Sequence, residues 1–118
     1  MTKQIDFDAW SETADEDWRR IIAPQLQESH SFEIHCWQDE LDALELALRY
    51  GDIKPSEWQG GLVIVGEVTP AFCDFLLSLP RPADREVYPK MTPFFNLFLD
   101  NGFCSEHYGT ELFQRADD

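Results

Sequence analysis

Apolar and polar residues alternate strictly over residues 31–37, with Phe32, Ile34 and Cys36 on one side and Glu33, His35 and Trp37 on the other. A period of two is that of a strand with one face against a core, so this segment is expected to be a half-buried strand. Residues 62–65 (LVIV) are apolar without alternation, which predicts a strand covered on both faces at the centre of a sheet. Elsewhere the spacing turns helical. Trp18, Ile21, Ile22 and Leu26 share one helical face, Thr13 followed by Glu16 fits a capping box, and Pro24 predicts an interruption or an end. Residues 38–50 form the clearest amphipathic pattern: at about 100° per residue, Leu41, Leu44 and Leu48 point one way and Gln38, Asp42, Glu45 and Arg49 the other. Asp39, Glu40 and Asp42 suit its positive end, and Gly51 stands just past its last turn.

Two further helices are expected at Thr69-Pro70 and Thr92-Pro93, because each pairs an N-cap residue with a proline suited to the first turn. The pattern Thr-Pro-x-Phe-x-x-Phe-Leu occurs at both places, but N-cap chemistry is common to helix starts and is weak ground for a duplication. Residues 51–61 and 80–90, rich in Gly or Pro, read as loops, the second with a short edge strand at Val87 and Tyr88. Asp100, Asn101 and Gly102 should stop the fourth helix, residues 103–113 should add a last strand, and residues 115–118 should fray. The expectation is one domain over residues 1–118, α+β or α/β, with about four helices packed on a small mixed sheet. Its expected core is Phe32, Ile34, Leu41, Leu44, Leu48, Val63, Val65, Phe72, Phe75, Leu76, Phe95 and Phe98.

Charge changes the picture. Against 23 Asp and Glu stand nine Lys and Arg, a net charge of -14 over 118 residues. A surface that negative repels a phosphate backbone, so direct nucleic-acid binding is not expected. No apolar run approaches the roughly 20 residues needed to cross a bilayer, and residues 1–10 hold no continuous apolar stretch of the kind a secretory signal needs. Cys36, Cys73 and Cys104 are odd in number and flanked by large apolar residues, which fits buried thiols in a reducing cytoplasm.

No motif names a reaction. Cys104, Glu106 and His107 cluster in sequence, but zinc sites show paired ligands at recognisable spacing, and His35 and Cys36 would face opposite sides of their strand. Gly60-Gly61 precedes a strand, the wrong order for a phosphate loop, and Ser29, His30 and Ser31 lack a nucleophile elbow. Catalytic residues, metal ligands and cofactors are therefore not expected, and the protein is read as a binding protein, not an enzyme.

What remains is a negative surface interleaved with Trp10, Trp18, Trp37, Tyr50 and Trp58, too many rings for all to be hidden. Aromatic anchors bordered by carboxylates complement a basic protein partner, the charges steering encounter and the rings holding the bound state. In size, acidity and aromatic content the chain resembles the immunity proteins of bacterial toxin systems, which are small cytoplasmic inhibitors of toxins that are often basic nucleases. That resemblance implies a one-to-one inhibitor, a monomer before it binds, whose carboxylates cover the toxin's active site or substrate groove. An acidic adaptor or secretion-chaperone-like protein, usually dimeric and binding an extended peptide, is the alternative. The expected partner-binding residues are Asp39, Asp42, Glu45 and Leu46 on the second helix, with Leu46 an apolar anchor ringed by carboxylates, and Asp15 and Asp17 in the acidic block before Trp18.

Overall fold

The computed structural model describes residues 2–83 and 87–115. The chain is α+β: three helices and a seven-stranded sheet among the described residues, with every neighbouring pair of strands antiparallel. In chain order the elements are β1 (Thr2–Gln4), α1 (Ala14–Gln27), β2 (Ser31–Trp37), α2 (Leu41–Leu48), β3 (Asp52–Lys54), β4 (Gly61–Glu67), α3 (Pro70–Ser78), β5 (Asn96–Leu99), β6 (Phe103–Glu106) and β7 (Glu111–Arg115). Across the sheet the order is β1-β7-β6-β5-β2-β4-β3.

Strand β2 forms over the expected residues with the expected alternation. Register carries that alternation across the sheet. Ile34 stands opposite Ile64 on one side and Leu97 on the other, and Phe32 opposite Leu99, so these residues share the face that packs on the helices. The helices contribute Trp18, Ile22 and Leu26 from α1, Ala43, Leu44 and Ala47 from α2, and Phe72 and Leu76 from α3. Phe72 lies flat on Phe32, ring centres 4.0 Å apart, and its amide donates to the Thr69 hydroxyl, so the expected N-cap also aims a core ring. Trp18 reaches across to donate its indole N–H to the buried Ser105 hydroxyl at 3.3 Å.

The structure corrects several expectations. The sheet is antiparallel, not mixed, and the described residues form three helices, not four. Residues 92–99 form no helix: the Thr92 hydroxyl closes a tight turn with Phe94, and β5 pairs with β2 and β6. A strand between two partners fills both its hydrogen-bond edges and sends Leu97 and Leu99 to the core, which outweighs local capping chemistry. The Thr-Pro pattern thus opens a helix once and a strand once, and marks no structural duplication.

Residues 62–65 lie in β4, an inner strand but second from the edge. The middle strand is β5. Residues 103–113 make a hairpin in place of one strand, and Asp100, Asn101 and Gly102 turn β5 into β6 instead of ending a helix. Val87 and Tyr88 are not in a strand. Arg115 closes β7, while residues 116–118 of the expected frayed end lie outside the described residues.

Helix α1 runs through Pro24. Pro24 and Arg20, whose carbonyl loses its donor there, are both exposed, so water can satisfy it. Thr13 precedes α1 without a side-chain cap and donates instead to Asp17, so the capping box does not form.

Helix α2 is shorter than residues 38–50 and is turned differently on its axis. It buries Ala43, Leu44 and Ala47, while Leu41 is 71% and Leu48 43% exposed. Two alanines one turn apart let the helix axis approach the sheet closely, and that approach decides which face goes in.

Candidate functional site

The same register that sends Phe32, Ile34 and Leu97 to the helices sends Glu33, His35, Trp37, Val63, Val65, Asn96 and Phe98 to the opposite face of the sheet. None of the helical core residues named above lies on that face. Val65, Phe95 and Phe98, expected in the core, are half-buried there or beside it, and Val63 is buried on it, outside the main core. Of the remaining expected core residues, Phe75 is only partly buried against the core.

The open face carries a connected run of rings. His35 meets Phe98 edge-on at 5.0 Å and Trp58 at 5.6 Å; Trp58 meets Trp37 at 4.7 Å; Trp37 meets Phe95 at 5.0 Å; Phe95 in turn touches His107 and Tyr108 at 5.5 and 5.3 Å. Trp58 comes from the loop between β3 and β4 and folds onto Gly61, which stands opposite Trp37 in the ladder. A Cβ at Gly61 would run into the Trp58 ring, so the Gly60-Gly61 pair serves close aromatic packing, not phosphate binding.

A hydrogen-bonded chain runs through two of the same residues. The His107 amide donates to Asn96 Oδ1 (3.2 Å), Asn96 Nδ2 to His35 Nδ1 (3.3 Å), and His35 Nε2 to Glu33 Oε2 (2.8 Å). This order assigns His35 the tautomer with its proton on Nε2. Oε1 of Glu33 faces Lys54 Nζ at 3.7 Å. The chain is anchored by an unusual turn: His107, Tyr108 and Gly109 have φ of 52°, 64° and 84°. Left-handed backbone at two non-glycine residues is costly. It is held by the Tyr108 amide donating to the Phe95 carbonyl, by the Met91 and Thr92 amides donating to the Tyr108 carbonyl, and by the Tyr108 hydroxyl on Glu40.

The thiols are not poised for chemistry. Burial, reinforced by the Glu40 charge, pushes Cys36 up to about 12. Burial likewise raises Cys104, with Arg115 opposing and Glu106 adding, and raises Cys73 with help from Asp74. Cys36 faces the helices while His35 faces the open side, as alternation requires. Among the described residues no three His, Cys, Asp or Glu side chains are grouped to hold a metal ion.

The residues expected to bind a partner are scattered. Asp39, Asp42 and Glu45 are exposed at α2. Leu46 is a correction: it is half-buried and packs against the core, so it is no free anchor. The exposed leucines of that helix are Leu41 and Leu48, which the expected stripe had placed inside. Asp15 and Asp17 belong to α1 and are half-buried, Asp15 paired with Arg19 at 3.6 Å and Asp17 with Arg20 at 3.1 Å.

Sequence reasoning did not single out Glu33, His35, Trp37, Trp58, Phe95 and Asn96 as a site. The outward side of the alternating segment was the available signal, since it puts a carboxylate, an imidazole and an indole in one row. No family model, curated protein or solved structure matches the chain.

Proposed function

We propose that this protein binds and neutralises a basic protein partner in the cytoplasm, as an immunity protein does with a toxin, and acts by binding alone. The observation that carries this reading is the sheet face that no described helix covers, where half-buried rings from Phe98 to Phe95 and His107 run together with Glu33 and, by register, Glu106 and Glu111 beside them. In a chain of net charge -14 such a face combines long-range attraction for cations with contact area that costs little conformational entropy to order. The carboxylates of α2 lengthen the negative surface and steer encounter. Strand addition of an extended peptide has less support, because both edge strands, β1 and β3, are only three residues long.

The test is co-expression with the product of the reading frame immediately upstream of this one in its genome. The expected result is relief of that product's toxicity and a one-to-one complex on gel filtration, with association slowing as salt rises from about 0.05 to 0.5 M. A neighbour that is harmless, or whose toxicity persists with no complex formed, overturns the reading.

A further inference from the structure

Between the Trp58 loop and strands β2 and β5 lies a pocket of about 490 Å³ whose lining includes the rings of Trp37, Trp58 and Phe95 and the charged side chains of Glu33 and Lys54. We propose that this pocket takes an arginine side chain of the partner, and that Lys54 is the internal cation which the arginine displaces. The inference rests on the reading of the protein as a binder of a basic partner, and it names the chemistry of the contact.

Two features select a guanidinium. Its flat faces are weakly hydrated and stack on rings, and here three rings stand together: Trp37 is inclined 65° to Trp58 and 53° to Phe95. Its edge N–H groups need a carboxylate oxygen in a fixed place. Glu33 offers one, because Oε2 is pinned by His35, which Asn96 and the His107 amide hold in turn, leaving Oε1 directed at Lys54. A carboxylate held in advance loses little entropy when it binds.

The present cationic partner of Glu33 is loosely held. Lys54 sits 3.7 Å from Glu33 with its side chain 56% exposed, on an edge strand. An ion pair of that length and exposure contributes little, so replacing it costs little. A partner lysine would bring only a compact, strongly hydrated charge that gains less from the rings.

The test uses hexa-arginine and hexalysine peptides on the full chain, followed through the indole N–H resonances of Trp10, Trp18, Trp37 and Trp58. Hexa-arginine should move Trp37 and Trp58 and leave Trp10 and Trp18 in place, with hexalysine several-fold weaker. Lys54→Met should raise hexa-arginine affinity several-fold and Glu33→Gln lower it. Arg49→Met removes the same charge from an exposed site just past the end of α2 and should change affinity little.

Equal affinity for the two peptides overturns the proposal. So does an unmoved Trp58, or an equal gain from Arg49→Met and Lys54→Met. A complex with the upstream product that forms while hexa-arginine leaves Trp37 and Trp58 unmoved rejects the arginine pocket alone. Binding of hexa-arginine in the pocket, with no complex with the upstream product, rejects the neutralisation reading alone.

Discussion

The Tyr108 hydroxyl donates to Oε2 of Glu40 at 3.0 Å, tying the left-handed turn between β6 and β7 to the residue that precedes α2. The other oxygen of Glu40 accepts the Trp37 amide at 3.1 Å, so one carboxylate joins the turn, the end of β2 and the start of α2. Burial raises the Tyr108 hydroxyl above its ordinary pKa, and the bond to Glu40 acts in the same direction, since a phenolate would lose its donor proton and face a carboxylate. Because the folded state favours the protonated form, this contribution is fully present below the unfolded value near 10 and is lost as pH rises toward the folded one. Tyr108→Phe should cost about 1 kcal/mol at neutral pH. In urea titrations across alkaline pH, the parent should lose more stability than the variant, and parallel losses would refute the linkage.

Gly61→Ala tests the packing of Trp58. The added methyl would meet the Trp58 ring and, at 2.6 Å, the Cys36 carbonyl, neither of which can yield without moving the loop or the ladder. A cost of about 1–3 kcal/mol is expected, together with a red shift of tryptophan emission as Trp58 is lifted into water. Unchanged stability and emission would mean that Trp58 does not rest on this glycine.

The orientation of α2 is tested by two leucines. Leu44 is 7% exposed and Leu41 is 71% exposed. Leu44→Ala should cost about 2–5 kcal/mol, whereas Leu41→Ser should stay within about 0.5 kcal/mol of the parent. Equal costs in denaturant unfolding would turn the helix back to the Leu41-Leu44-Leu48 stripe.

Charges and rings should separate in binding kinetics with the upstream product. Reversing Asp39 and Asp42 to Lys should lower the association rate several-fold, because exposed charges act at long range. Trp58→Ala should leave association nearly unchanged and speed dissociation, since contact area matters only in the bound state. Stopped-flow measurement of both rates decides the matter, and faster dissociation confined to the charge-reversed protein would move the interface to α2.

Some of this protein was determined by sequence alone. The alternation of residues 31–37, the Thr69 cap of α3 and the negative charge follow from side chains and their near neighbours, and period-two patterning needs no knowledge of the partner strands. Which way α2 turns does not follow, because Leu41 and Leu48 are as apolar as Leu44, and only the closeness that Ala43 and Ala47 permit against the sheet selects the buried face. Nor does the fate of residues 92–99, where a good helix start yields to ladders with β2 and β6, some 60 residues and a few residues away in the chain. The aromatic face belongs to this second group. Trp37, Trp58, Phe95 and Phe98 were all legible as large rings, but their meeting place depends on strand order and register, which are set by contacts between distant segments and carry no local signature.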